Sequence, residues 1–321
     1  MNFSVVITTH NRLKLLQRAI DSVLNQTIDC ELVVVDDCSS DETSKYLENL
    51  SVKLYARSNS RLIYIRNVTN KGHSASVNIG VEASQGDWVK FLDDDDYLAP
   101  NCLEEMGKAI ALRPEAAICS CIAAQVDSNQ VELSRTPSVG PGVAFYIPQA
   151  DIHYGMLLEQ LPFGTPAQVA CQRDAFLKTG GWDSTLDTNC DDIDSWINTV
   201  QFGDAIFVNQ CLAYRTIWLG AGNQRFSLTK RLNTNILMKQ KIYDLIDKQH
   251  NSYLPKFDDI KSYLKLHWLF VAMSQRNISE LTNMIDLCIL SPKAWTILVN
   301  AFLLKKIGLE NQKIRKFILI N

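Results

Sequence analysis

Over its first hundred residues the chain alternates two kinds of apolar pattern, and that alternation leaves few folds open to it. Val5-Val6-Ile7, Leu32-Val33-Val34-Val35, Leu62-Ile63-Tyr64-Ile65 and Trp88-Val89-Lys90-Phe91-Leu92 are short strand-like runs. Leu32–Val35 is apolar without a break, as expected of a strand buried on both faces. Between the runs, Leu13, Leu16, Ala19, Ile20, Val23 and Leu24 recur at helical spacing. Ser40 or Asp41 offers a cap to a second helix with Tyr46, Leu47 and Leu50 on one face, and Ser74–Ala83 reads as a third. This rhythm builds βαβ units around a mostly parallel sheet flanked by helices. Ligands bind beyond the carboxyl ends of such strands, which directs attention to Thr8–Arg12, Asp36–Asp41, Asn67–Gly72 and Asp93–Asp96.

Carboxylates collect at those positions. Asp36-Asp37 ends the second strand, Asp93-Asp94-Asp95-Asp96 ends the fourth, and Asp191-Asp192 with Asp194 follows Gly180-Gly181-Trp182. Four adjacent acids repel one another and are pushed toward protonation unless a cation sits among them. Hard divalent cations take oxygen ligands, Mg²⁺ commonly one or two carboxylates plus substrate phosphates. The tetrad therefore reads as a metal–diphosphate site, against the plainer reading of a solvated acidic turn.

Charge is unevenly spread. The whole chain carries 32 Lys+Arg against 35 Asp+Glu, a net −3, but residues 1–224 hold 16 basic and 28 acidic side chains and residues 225–321 hold 16 and 7. An acidic body suits cation handling, and a basic tail suits an anionic partner. Hydrophobic content of 46% with 21% charged residues excludes a disordered or collagen-like chain. The nine cysteines are odd in number, scattered and without a CxxC, so neither a disulfide framework nor a zinc site is indicated. The start of the chain lacks the pattern of a signal peptide. Its longest apolar stretch, Ala294–Leu304, is shorter than the roughly 20 residues that span a bilayer. A cytoplasmic protein is expected, soluble or peripheral on the inner face of the cell membrane, and nothing points to nucleic acid. Residues 100–224 are mixed and loop-rich. From 225 onward apolar residues recur at helical spacing (Leu232, Ile236, Leu237; Tyr263, Leu266, Leu269, Phe270), which predicts a helical C-terminal region.

Several motifs together resemble the inverting glycosyltransferases of family 2, of the GT-A fold. They are Ser4-Val5-Val6-Ile7-Thr8-Thr9-His10-Asn11-Arg12, Val35–Asp41, Asn70-Lys71-Gly72, Phe91–Pro100, and Gly180-Gly181-Trp182-Asp183 followed by Asp191–Asp194. The resemblance covers about residues 1–220 and implies a Rossmann-like GT-A domain over 1–224. Its donor-binding half would be about 1–100 and its acceptor half about 101–224, with a basic helical region over 225–321 lying outside it. It implies that Asp37 or Asp36 recognises the nucleotide base, a role that suits an acceptor-only carboxylate. Thr8, Thr9 and Asn11 fall in the family's first nucleotide loop. Asp93 and Asp95 match the D-x-D motif, Asp93 toward the ribose or sugar hydroxyls and Asp95 toward Mn²⁺ or Mg²⁺ on the diphosphate, with Asp94 between them. A general base must reach the attacking hydroxyl. Asp192 matches the second acid of the family's Glu-Asp pair, and Asp191 stands where that pair has Glu. Arg12 and Lys71 are candidates for the diphosphate, and Asn78 for ordering the donor loop. Trp182 either stacks on an acceptor sugar or packs in the core.

The family often places a histidine near Tyr214–Trp218 as a further metal or phosphate contact. None lies between His153 and His250 here, so a water or another side chain is left for that place. The resemblance implies transfer of a hexose from a UDP-sugar to a glycan or lipid-linked glycan, in O-antigen, lipopolysaccharide or capsule assembly. A sugar nucleotidyltransferase would need a Gly-rich loop after the first strand, which Thr8–Arg12 lacks, and no G-x-G-x-x-G follows a strand to suggest a dinucleotide oxidoreductase. A non-catalytic nucleotide-sugar-binding protein would not need the acids at 93, 95 and 192. In the tail, Lys305, Lys306, Lys313, Arg315 and Lys316 interleave with Leu303, Leu304, Ile307, Leu309, Ile314 and Phe317–Ile320. Such a segment either lies on an anionic membrane surface or packs on the enzyme body as a Lys-rich helix.

Overall fold

The computed structural model describes residues 1–55, 61–138, 140, 142–161, 163–186, 190–217, 226–275, 291–307 and 318–319. The first strand, β1 (Phe3–Thr9), is buried at every position. Helix α1 (Leu13–Leu24) buries Leu16, Ala19, Ile20 and Val23, one stripe at helical spacing. Then come β2 (Glu31–Asp36), α2 (Thr43–Tyr55), β3 (Arg61–Arg66), α3 (His73–Ala83) and β4 (Trp88–Asp93). β2 lies parallel to both β1 and β3, and β4 is parallel to β1 on its other side. Their shared register sets Thr8 beside Asp93 and Thr9 beside Asp36, so the polar residues that end three apolar runs meet at one edge. Helix α3 lies close on this sheet. A Cβ added at Gly80 would meet Val6 Cγ1 at 2.5 Å.

The chain continues through β5 (Tyr97–Leu98), α4 (Cys102–Leu112), β6 (Ala116–Val126), β7 (Glu132–Arg135), β8 (Ala144–Ile147), α5 (Gln149–Leu157), β9 (Val169–Gln172), α6 (Arg173–Lys178), α7 (Asp191–Thr199) and β10 (Asp204–Thr216). After these come α8 (Leu228–Asp244), α9 (Phe257–Ser274), α10 (Pro292–Ile307) and the two-residue β11 (Ile318–Leu319). Among the described residues the strands form one sheet of order β11-β8-β10-β6-β9-β4-β1-β2-β3, with β5 on β10 and β7 on β6. β9 is antiparallel to both neighbours and joins the parallel first half to the parallel pair β6–β10.

Cα packing divides the chain into two compact units. One holds residues 1–149, 162–221 and 317–321, the other 150–161 and 222–316. The second unit is helical, and it includes a segment, 150–161, that periodicity did not assign to the C-terminal region. There Lys239 of α8 donates to the carbonyls of Met156 and Leu157 at 3.2 and 2.9 Å, closing the end of α5. His250 Nε2 lies 2.9 Å from Asp151 Oδ1, with its ring stacked on Tyr154. Ile318–Leu319 pairs antiparallel with Tyr146 and Phe145 of β8, an edge open to an apolar extended segment. Leu309, Lys313, Ile314, Arg315, Lys316, Phe317 and Ile320 lie outside the described residues, as do the side chains of Lys305 and Lys306.

One residue of β4 breaks the apolar pattern of a buried strand. Lys90 is fully buried, and its ammonium donates to the carbonyls of Phe91 at 3.1 Å, Pro166 and Val169 at 3.3 Å, and Ala167. It satisfies carbonyls of the 3-10 turn Pro166–Gln168 that leads into β9. Lys90→Met keeps the length and removes the donor. We expect it to cost about 3 kcal/mol or more through carbonyls left without partners, read as a lowered urea midpoint with unchanged slope. An unchanged midpoint would refute this role.

Candidate active site

Each strand end delivers its acid already held in place. Asp36 accepts from the backbone N–H of Ser39 at 2.8 Å and from Ser44 Oγ at 3.2 Å, and faces Arg66 at 3.7 Å. Asp37 accepts from Asn67 Nδ2 and Lys71 N, both at 2.8 Å, and from Gly72 N at 2.9 Å. A carboxylate offers about four acceptor sites, so three donors leave Asp37 room for one more. Asn11 adopts φ 56°, and its side-chain oxygen accepts from Ser40 N at 2.7 Å, bracing the β1 loop against the β2 loop. Thr9 Oγ1 donates to Asp94 at 2.7 Å, and Thr8 Oγ1 sits 3.0 Å from His73 Nδ1. Arg12 pairs with Asp94 at 3.0 Å and reaches Asp95 at 3.5 Å, so it lies on the acidic tetrad. Lys71 contributes its backbone to Asp37 and leaves its side chain exposed.

The tetrad sorts into distinct environments. Oxygens of Asp93, Asp95 and Asp96 lie within 4.8 Å of one another, close enough to share one ion. Asp96 is the member that a D-x-D spacing does not select. It is buried and accepts from Thr216 N at 2.9 Å. Arg18 of α1 supports the loop from beneath, donating to the Asp95 carbonyl at 2.5 Å and to Thr216 Oγ1 at 2.6 Å, with its guanidinium over the Tyr97 ring. Burial pushes the Asp93 carboxyl up, with His73 opposing and Asp95 and Asp191 adding. Burial, then Asp93 and Asp95, push Asp96 well above the usual range, and burial pushes Asp94 up to about 6 against the pull of Arg12. Three converging carboxylate oxygens are the hard donor set a divalent cation takes.

The third acid group arrives on α7. Cys190 turns the chain at φ 71°, and Asp191, Asp192 and Asp194 occupy the first helical turn. Asp191 is buried and accepts from Ser74 Oγ at 2.7 Å. Asp192 is half-buried and bonded to the N–H of Ile193 at 2.7 Å. Burial pushes its carboxyl up to about 7, and Asp191 and Asp93 push the same way.

Of the two readings of Trp182, the structure has the core one, and Asn78 orders the backbone beside it. Trp182 is 3% exposed and packs between His73, Phe91 and Trp196, with ring centroids 5.3–5.9 Å away. Its ring faces fill an aromatic core, which leaves none open for stacking on a sugar. Asn78 uses both ends of its amide on the Trp182 backbone, at 2.8 and 2.9 Å. Gly181 is required beside that clamp: φ is 81°, and a Cβ would lie 2.4 Å from Asn78 Oδ1. His73, Ser74, Arg18 and Asp96 complete the cluster. Asp96 was visible as part of the acid run, whereas the other three are ordinary helix residues until the fold brings them to the acids.

A mostly parallel sheet flanked by helices, with acids gathered at one edge, is the architecture of a GT-A glycosyltransferase domain. The profile of Glycosyl transferase family 2 matches residues 4–180, and the chain belongs to that family. It is 38% identical over 105 residues to the GalNAc(5)-diNAcBac-PP-undecaprenol beta-1,3-glucosyltransferase of Campylobacter jejuni, covering 32% of each chain. It is 38% identical over 101 residues to the putative colanic acid biosynthesis glycosyl transferase WcaA of Escherichia coli, covering 31% of this chain and 34% of WcaA. An uncharacterized glycosyltransferase of Haemophilus influenzae is 27% identical over 184 residues, 57% of each chain. The chain thus spans between about a third and somewhat over half of these relatives. Among solved structures, S. aureus TarS 1-349 in complex with UDP superposes with a TM-score of 0.60 at 18% identity, over 89% of this chain and 76% of that one. The same protein in complex with UDP-GlcNAc gives 0.59 at 18% identity, over 85% and 73%. At that identity the likeness establishes the fold.

Proposed function

We propose that the chain is a metal-dependent, inverting glycosyltransferase that moves a hexose from a UDP-sugar to a hydroxyl of a glycan or lipid-linked glycan. The observation that carries this reading is the convergence of Asp93, Asp95 and Asp96, together with an acid, Asp192, whose carboxyl is pushed up to about 7. In this reading residues of about 1–100 take the donor and residues of about 101–224 the acceptor, while 225–321 serve the enzyme's location. Asp37 takes the nucleotide base, while Asp36, fully buried and bonded to Ser39 and Ser44, orders the loop beside it; Thr8, Thr9 and Asn11 line the pocket, and Arg12 and Lys71 face the diphosphate. Asp93, Asp95 and Asp96 would hold Mn²⁺ or Mg²⁺, which supplies charge neutralisation to a departing diphosphate. Asp192 accepts the proton of the acceptor hydroxyl as that oxygen bonds the anomeric carbon. The bond from that carbon to the diphosphate oxygen breaks with its electron pair, UDP leaves, and an α-linked donor gives a β-linkage.

The UDP-GlcNAc complex of TarS supports a UDP-sugar, and the name of the Campylobacter relative supports a lipid-linked acceptor in polysaccharide assembly. Among the described residues no helix is long and apolar enough to cross a membrane. Work at the inner membrane face rests on the basic C-terminal composition and that relative's substrate. A panel of UDP-sugars incubated with Mn²⁺ tests the reaction class. Release of UDP is the expected result, and release of pyrophosphate or of a nucleoside monophosphate would replace transfer by nucleotidyl chemistry.

A further inference from the structure

Three consecutive residues at the head of α3 each hold a different acid group. Gly72 donates its N–H to Asp37 Oδ2 at 2.9 Å. His73 Nε2 lies 3.5 Å from Asp93 Oδ1, its other nitrogen 3.0 Å from Thr8 Oγ1. Ser74 Oγ donates to Asp191 Oδ2 at 2.7 Å, across 117 residues of sequence. Gly72 enters the helix at φ 89°, a conformation open to glycine, which lets its N–H aim at Asp37. Ser74 is fully buried and Asp191 is 6% exposed. A carboxylate so buried needs its donor, because an unpaired buried charge shifts or protonates. The Ser74 hydroxyl supplies that donor and holds the first turn of α7 in place. Asp192 is the next residue on that turn.

We propose that Ser74 is a positioning residue for the Asp191–Asp192 pair, and that the first turn of α3 ties the nucleotide end of the site to the acid that works on the acceptor. This rests on the reading of Asp192 as the base. The turn spaces the three acid groups by covalent geometry: one residue per group, each a fixed step along a helix start. Loss of the Ser74 hydroxyl frees the acceptor-side acids while Gly72 and His73 continue to hold the nucleotide and D-x-D acids.

The test is Ser74→Ala beside Ser74→Thr in the full chain, with transfer kinetics, calorimetric UDP binding in Mn²⁺ and thermal melting. Ser74→Ala is expected to lower kcat on the order of 10–100-fold with UDP affinity within about twofold of wild type. Ser74→Thr, which keeps a hydroxyl, recovers part of that loss. Asp191→Asn gives the same split if Ser74→Ala fails to accumulate. On an Asp192→Asn background Ser74→Ala adds no further loss, because both act through one group. Wild-type kcat in Ser74→Ala overturns the inference. So does a loss of kcat matched by an equal loss of UDP affinity, which is general unfolding of the site. If Asp192→Asn itself keeps normal turnover, the base reading fails and this inference falls with it. If Asp192→Asn is inactive while Ser74→Ala is normal, only this inference fails.

Discussion

Asp192→Asn yields a protein that folds and binds UDP-sugar but turns over on the order of 10²–10⁴-fold more slowly, the span a positioned general base contributes. Asparagine keeps the shape and the acceptor that meets the Ile193 N–H, so only the proton-accepting carboxylate is lost. The wild-type enzyme is expected to show a matching pH signature in kcat/KM. Burial and Asp191 push the Asp192 carboxyl up to about 7. Its base form therefore appears as pH rises through neutrality, and kcat/KM climbs over that range before levelling. The same shift fixes the sign of a stability effect. The folded chain holds a proton on Asp192 at pH values where the unfolded chain has released it. Stability from this group is therefore fully present below about pH 4 and is lost as pH rises toward about 7. Asp192→Asn escapes that loss. It melts higher than wild type at pH 8, by about 2–4 °C for each kcal/mol recovered, and alike at pH 4. Unchanged turnover would remove Asp192 as the base. A variant that loses both turnover and melting temperature at pH 8 would mark it as a structural acid.

How much of this was visible before the fold was known depends on what each residue answers to. The strand runs 5–7, 32–35, 62–65 and 88–92 and the α1 stripe are set by burial, which repeats along the chain with a period that can be read locally. The acids at 36–37, 93–96 and 191–192 stood out because adjacent like charges repel one another, which is visible in the sequence itself. Other features are set by contacts between distant residues. Ser74 acquires its meaning only from Asp191, and Lys90 only from carbonyls at 166–169. β9 is four residues long in a loop-rich stretch, and its antiparallel place between β4 and β6 depends on both partners. Trp182 illustrates the ambiguity of an aromatic beside a site: the Gly-Gly-Trp motif is compatible with a sugar platform, but the Asn78 clamp turns its ring into the core. The two-residue β11 is fixed by an open edge on β8 rather than by any period of its own.

Chelation of divalent cations should silence the enzyme as completely as loss of the base. Asp93, Asp95 and Asp96 bring oxygens within 4.8 Å, and burial and mutual repulsion push Asp93 and Asp96 toward protonation. A cation removes that repulsion, so the site gains both the ion's own binding and the relief of its ligands. Treatment with EDTA is expected to lower transfer on the order of 10³-fold, several kcal/mol of leaving-group stabilisation, with recovery on adding Mn²⁺ or Mg²⁺. Binding also displaces protons from the ligands, so metal affinity strengthens as pH rises. Mn²⁺ at about 100 times its Kd should stabilise the folded chain by about 2.7 kcal/mol, and that thermal shift is a readout independent of turnover. The three acids are not equivalent. Asp95 has its main chain held by Arg18 and its carboxylate within the shared oxygen cluster, so Asp95→Asn should lose the Mn²⁺ shift altogether. Asp96 already gives one oxygen to the Thr216 N–H, so Asp96→Asn should weaken the shift while retaining some of it. Full activity in EDTA, with no melting shift in Mn²⁺, would leave the acid cluster without its cation and assign the diphosphate to Arg12 and Lys71 alone.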